Sequence, residues 1–207
     1  MCGIFGSNFK TSFFDLYNLN LSRGSFSTGI YCHSANKSIT LYTKEKLSLR
    51  DIPDDMEYYF GHNRAPTGDS TFFSESTSHP FFTKNFAYAH NGIIKNTKKY
   101  ENEFQNSYEV DSQWIGDFLE RYTLKNTLQK VSNAPFALWV AARRTHKFYL
   151  AKTANPIYYS KSYNSFSSTS FENSKLLDDG KIYVGDTHNL HWTLETFEFS
   201  SPYFIPG

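Results

Sequence analysis

Cysteine is almost absent from this chain of 207 residues, which has two, Cys2 and Cys32. Two cysteines cannot build the disulfide framework on which small secreted domains depend, so a reducing cytoplasm is the expected setting. An excess of one charge is missing as well. Lys and Arg number 21 against 20 Asp and Glu, a formal net charge of +1, so no basic or acidic surplus points to nucleic acid or to an anionic membrane as partner. No apolar run approaches the roughly 20 residues needed to span a bilayer. The first residues also lack the basic and then apolar segments of a secretory signal. Neither an internal repeat nor a low-complexity linker interrupts the chain. Aromatic residues, by contrast, are plentiful: 20 Phe and 15 Tyr contribute most of the 18% aromatic content. That much rigid apolar area suits a well-packed globule, and the length allows one sizeable core. Small polar substrates fit this profile better than macromolecules.

The pattern along the chain predicts a strand from Met1 to Asn8. A helix from Thr11 to Arg23 follows, with Phe13, Leu16, Tyr17 and Leu21 on one face. Gly24 ends that helix, and Thr28–Cys32 and Ser38–Tyr42 read as strands. After the charged connection Leu47–Asp55, Tyr58–His62 reads as a buried strand. It runs into a loop from Arg64 to Ser78, broken at Pro66 and Gly68 and suited to closing over a ligand. Phe86–Ile94 is a further strand, and Asn96–Phe104 and Asp111–Tyr122 carry helical spacing. Pro135–Ala142 and Lys147–Ala151 form a strand pair across an Arg143–His146 turn. Phe166–Ser170, Lys181–Val184 and Thr193–Phe199 complete the strands. This mixture indicates an α+β fold.

Chemistry concentrates at the start. Cys2 directly follows the initiator methionine, so removal of Met1 leaves a cysteine whose own α-amine (pKa about 8) is a base within one water of its thiol (pKa about 8.5). Read alone, Cys2 is more readily a structural cysteine on a buried strand. Other residues have two readings of the same kind. Arg23 suits a helix C-terminus on dipole grounds. Asn91-Gly92 is a common hairpin turn, Asp111 a helix cap and Thr67 part of a surface turn.

Taken together, Met1-Cys2-Gly3-Ile4-Phe5-Gly6, Arg23-Gly24, Gly61-His62-Asn63-Arg64-Ala65-Pro66-Thr67-Gly68 and His90-Asn91-Gly92-Ile93-Ile94 resemble, in this order, the glutaminase domain of class II glutamine amidotransferases. The likeness is nearest to the glutaminase half of glutamine–fructose-6-phosphate aminotransferase. These are N-terminal-nucleophile hydrolases. The resemblance implies a single domain over 1–207 with a four-layer αββα sandwich, two antiparallel sheets between helical layers. It implies Cys2 as nucleophile on the carboxamide of L-glutamine, through a thioester, and Asn91 and Gly92 as donors to the oxyanion. Arg64 would hold the α-carboxylate and Asp111 the α-ammonium, with Thr67, Arg23 and Gly24 beside the substrate. No cofactor and no metal are expected.

Two positions depart from the family pattern. Ala65 stands where an aromatic follows the clamp arginine, and Gly68 where a histidine follows the threonine. Because that aromatic seals the passage for ammonia, coupling to a second active site is more in question than amide hydrolysis. With no acceptor domain within 207 residues, the expected partner is a separate synthase or amidoligase subunit. Two rivals stand beside this reading: an N-terminal-cysteine acylase acting on another amide, and a non-catalytic binding subunit. His188-x-x-His191 with Asp186 is too sparse for a metal site. His62 and His79 read as structural hydrogen-bonders, and Lys95, Lys98 and Lys99 as a solvated helix face.

Overall fold

The computed structural model of the protein describes residues 1–65, 73–132, 134–186 and 195–199, and 190–191 by backbone alone. Along the chain come β1 (Gly3–Ser7), α1 (Lys10–Asn20), β2 (Ser27–His33), β3 (Ser38–Thr43), β4 (Tyr58–Arg64), β5 (Phe81–Phe82) and β6 (Phe86–Gly92). Three helices follow: α2 (Thr97–Phe104), α3 (Trp114–Arg121) and α4 (Leu124–Val131). Next are β7 (Phe136–Ala142), β8 (Lys147–Lys152), β9 (Tyr158–Ser160), β10 (Ser165–Ser167), β11 (Lys175–Leu176), β12 (Ile182–Asp186) and β13 (Leu190–His191). Single 3₁₀ turns occur at Leu49–Asp51, Glu75–Thr77 and Asp111–Gln113.

The strands form two antiparallel sheets. One has the order β11-β9-β10-β1-β4-β2-β3 and the other β13-β12-β8-β7-β6-β5. Side chains alternate across each strand, and here both faces are covered. Ile4 and Tyr31 point between the sheets, whereas their neighbours Phe5, Ile30 and Cys32 pack with Phe13, Leu16 and Tyr17 of α1. In the second sheet Trp139 points inward, while Leu138 and Val140 pack beneath Trp114, Ile115, Phe118 and Leu128 of α3 and α4. Three apolar layers therefore separate four structural layers, and the α+β, four-layer αββα expectation holds.

Between the sheets the packing sets large against small. Tyr31, Tyr58 and Phe60 of the first sheet share this layer with Ala87, Ala89, Ala137 and Ala141 of the second. Phe60 lies 4.6 Å from Tyr58, 4.9 Å from Trp139 and 5.5 Å from Phe148, between ring centroids. Trp139 Nε1 donates across the gap to Gly61 O at 3.3 Å. Alternating bulk lets two sheets meet without voids.

Three differences from the sequence expectation have local causes. The segment Asp111–Tyr122 begins as a 3₁₀ turn before α3, drawn tight where Gln113 Oε1 accepts the Val110 N–H at 3.1 Å. Helix α4 is additional to the sequence expectation: its buried face, Thr127, Leu128 and Val131, includes a polar residue, and its start depends on a Thr123 cap, whose Oγ1 accepts from Asn126 N–H at 3.3 Å. Of the expected strand Thr193–Phe199, positions 193–194 lie outside the described residues, and within 195–199 there is a single bridge, Lys181 to Thr196.

Phe60 is 2% exposed at the centre of the inter-sheet layer. Phe60→Ala is expected to lower unfolding free energy by about 3–5 kcal/mol, measured by urea denaturation. A loss below 1 kcal/mol would show that this layer tolerates a cavity.

Candidate active site

Strand β1 lies centrally in its sheet, paired with β4 in the register Gly3 to Asn63, which brings Cys2 beside the residues that end β4. Cys2 Sγ accepts a hydrogen bond from Ala65 N–H at 3.3 Å and lies 3.5 Å from Ala65 O. The Cys2 carbonyl accepts from Arg23 Nε at 3.0 Å and from Asn91 Nδ2 at 3.1 Å. Arg23 follows α1, and Asn91 sits near the end of β6 in the other sheet. One backbone oxygen is thus held from both sides of the sandwich. Ser168 completes the attachment: its Oγ accepts from Ile4 N–H at 3.0 Å and from Asn91 Nδ2 at 3.1 Å. The backbone of Ser168 also donates to Ile4 O at 2.8 Å.

Two glycines permit this approach. A Cβ on Gly24 would fall 2.6 Å from Arg64 C and Ala65 N, and one on Gly92, at φ +157°, 2.6 Å from Pro135 O and His90 Nε2. Neither position has room for a side chain.

Around Cys2 opens a cleft of about 350 Å³ lined by Cys2, Arg23, Ala65, Asn91, Gly92 and Asn155, among others. Four of the residues singled out in the sequence, Cys2, Arg23, Asn91 and Gly92, therefore meet in one place. Arg64, Gly24 and Asp111 stand one step behind the wall, among the described residues. Gly24 backs onto Arg64 and Ala65. The Arg64 guanidinium lies 5.5 Å from the Phe26 ring centroid, and its charge is felt at Cys2. Asp111 Oδ2 accepts the Ile94 N–H at 2.5 Å, next to the lining residue Ile93. Thr67 and Gly68 lie outside the described residues.

Lys95 corrects its earlier assignment. It precedes α2 rather than forming part of its face, and it lines the cleft. Asn155 and Ser168 were not visible from the sequence. Asn155 Nδ2 donates to Asn91 O at 2.8 Å and Pro135 O at 3.3 Å. Both residues are brought here by pairing across more than 60 positions, and neither carries a local signal. Among the described residues no group of three or more His, Cys, Asp or Glu side chains is placed to hold a metal ion. His188 and the side chain of His191 lie outside those residues.

Burial pushes the Cys2 thiol above its ordinary pKa. The Ala65 N–H, the N-terminal ammonium, Arg64 and Arg23 act in the opposite direction without overcoming it. A protonated thiol needs a base at the moment of attack. Beneath the cleft, burial drives the imidazoles of His62 and His90 down to about 3 and about 4, and His79 is depressed by the same cause. All three are neutral in the folded protein near pH 7, whereas in the unfolded chain they titrate near 6.5. The unfolded state consequently binds protons first as pH falls. Stability contributed by these groups is complete above about pH 6.5 and is lost progressively toward pH 4 and below. Urea midpoints are expected to decline between pH 7 and pH 4.5, with a shallower decline in His90→Gln. An equal slope in that variant would contradict the assignment.

No family model matches the chain. The curated glutamine–fructose-6-phosphate aminotransferase [isomerizing] of Helicobacter pylori is 30% identical over 185 aligned residues, which take in 78% of this chain and 31% of that protein. Of the solved structures, glutamine phosphoribosylpyrophosphate amidotransferase from B. subtilis superposes with a TM-score of 0.73 at 17% identity, over 97% of this chain and 50% of that one. A structure of the allosteric regulatory enzyme of purine biosynthesis gives a TM-score of 0.74 at 15% identity, with the same coverage of 97% and 50%. The chain thus spans about a third of the curated relative and half of each solved structure. In sequence and in fold alike, the chain is a relative of the class II glutamine amidotransferases, with the αββα architecture of the N-terminal-nucleophile hydrolases.

Proposed function

We propose that the chain, a single glutaminase domain over residues 1–207, hydrolyses the side-chain amide of L-glutamine to glutamate and ammonia. The observation that carries this reading is the placement of Cys2: its sulfur is on the Ala65 N–H and its carbonyl is held by Arg23 and Asn91, at the wall of a cleft sized for a small molecule.

Once Met1 is removed, the free α-amine of Cys2 takes the thiol proton as sulfur attacks the amide carbon. The negative oxygen that forms accepts a hydrogen bond from Asn91 Nδ2, whose two hydrogens otherwise go to Cys2 O and Ser168 Oγ, with the Gly92 N–H as second donor. Collapse of this intermediate breaks the C–N bond, and the protonated amine returns its proton to the departing ammonia. The γ-glutamyl thioester that remains is cleaved by a water whose proton passes to the same amine, which releases glutamate and restores the thiol. With Met1 in place the nitrogen of Cys2 is an amide and no base. In the bound substrate the α-carboxylate pairs with Arg64, since a guanidinium offers a bidentate fork, and the α-ammonium pairs with Asp111; Thr67 is a further substrate-binding residue by resemblance.

Ammonia at neutral pH is mostly protonated and a poor nucleophile, so local delivery favours its use. We place its acceptor in a synthase or amidoligase carried by a separate subunit. Ile93, 58% exposed at the cleft, offers that subunit an apolar contact. A reducing cytoplasm, in which the thiol persists, is the compartment this chemistry suits.

Intact mass spectrometry of protein from its native host is expected to show loss of Met1. The processed protein is expected to release glutamate and ammonia from L-glutamine and to be labelled at Cys2 by 6-diazo-5-oxo-L-norleucine. Cys2→Ala should abolish turnover with unchanged circular dichroism; a variant active at the parent rate removes the nucleophile assignment. Arg64→Lys and Asp111→Ala should each raise KM for glutamine roughly 10–100-fold, in line with a charged hydrogen bond of about 1.5–3 kcal/mol. Unchanged KM in both would favour an acylase acting on an amide without amino-acid charges. Co-purification from the host, followed by glutamine-dependent amination assays, tests the separate acceptor. Full turnover by the isolated chain with no partner recovered would leave a plain glutaminase.

A further inference from the structure

Behind Asn91, three histidines from three segments come together. His62 lies on β4, His90 on β6, and His79 on the segment that enters β5. They are 1%, 2% and 7% exposed. The His62 and His79 rings lie 4.2 Å apart between centroids. The Nε2 atoms of all three are buried without a hydrogen-bond partner, and so is Asn91 Oδ1. Native interiors seldom leave such atoms unpaired, and four together directly under a catalytic amide call for an explanation.

The geometry of Asn91 supplies one. Both hydrogens of Nδ2 are committed, one to Cys2 O and one to Ser168 Oγ. The end of the amide left for its other neighbours is therefore Oδ1, which can only accept. The polar groups whose influence the His62 ring feels include the Asn91 side chain and the His90 backbone, and His62 Nε2, itself without a partner, is the donor available for Oδ1. Other charged groups facing the cluster are Arg64 on β4 and Asp111, which favours protonation of His90. His90 is engaged through Nδ1, which is paired with Ser112 Oγ at 2.9 Å, and its Nε2 faces Gly92.

An asparagine amide has two orientations that differ by exchange of oxygen and nitrogen. With Nδ2 toward Cys2 it donates to the carbonyl and to a developing oxyanion; reversed, it presents a second oxygen and repels both. We propose that His62 is a positioning residue for Asn91: its ring N–H engages Oδ1 and fixes the amide with Nδ2 toward the nucleophile, while His79 and His90 hold the His62 ring in place. This inference rests on the role of Asn91 as oxyanion donor under the proposed function and adds the element that orients it.

The decisive comparison uses the full processed chain. His62→Leu should lower kcat for glutamine roughly 10–100-fold with KM within about threefold, the pattern of an interaction made in the transition state. His62→Gln, which retains an N–H donor, should recover most of that loss. In an Asn91→Ala background His62→Leu should have little further effect on kcat, because a residue acting through Asn91 has nothing left to orient. Imidazole nitrogen-15 NMR gives a readout independent of turnover: the His62 N–H resonance should shift in Asn91→Ala. A null glutaminase assay with that shift present would overturn the proposed function and leave the pairing standing. The positioning role is overturned if His62→Leu leaves kcat unchanged, if its effect is undiminished without Asn91, or if the His62 resonance ignores the Asn91 substitution.

Discussion

One carbonyl oxygen, that of Cys2, organises this molecule. It accepts from Arg23 on the helical side of the first sheet and from Asn91 in the second sheet, so the chain start is a joint between layers rather than a loose end. Termini ordinarily fray because nothing pays back the entropy of ordering them. Here the two donors, the antiparallel pairing of β1 with both β4 and β10, and the burial of Ile4 and Phe5 all act on the same six residues. Under the proposed function, a nucleophile that moved by even an ångström would forfeit the advantage of preorganised donors. The central position of β1 prevents that movement.

The surroundings follow from the same demand. Gly24 and Gly92 let two backbones close in where a β-carbon has no space. Asn155 holds the backbone of Asn91 while Ser168 and Cys2 hold its side chain, so the residue is fixed at both ends. The thiol, in turn, is buried enough to stay protonated against three nearby positive charges. An exposed cysteine would ionise more readily but would also be open to oxidation. Under the proposed function, sheltering the sulfur and supplying the base from the same residue reconciles protection with reactivity.

Much of this was legible in the residue order, for uneven reasons. Strands such as β6 and β7 declared themselves by apolar, β-rich runs, and Cys2, Arg23, Asn91 and Gly92 by short motifs kept in a characteristic order. The four layers were not readable from periodicity. Strands covered on both faces, like β7 with Trp139 inward and Leu138 and Val140 outward, read as continuous hydrophobic runs that say nothing about which face meets which layer. Ser168 and Asn155 stayed hidden because their importance comes entirely from partners distant in sequence. Helix α4 was not legible because its buried face, Thr127, Leu128 and Val131, mixes a polar residue into the apolar spacing.

Met1 lies at the cleft, 80% exposed, with its sulfur 3.8 Å from Arg23 Nη2. For anyone producing this protein, that location dictates the design of the expression vector. An affinity handle fused ahead of Met1 would pass the mouth of the cleft and, by keeping Met1 from removal, leave the Cys2 nitrogen in a peptide bond. Purification handles therefore belong at the other end of the chain, or behind a protease site that leaves cysteine as the first residue.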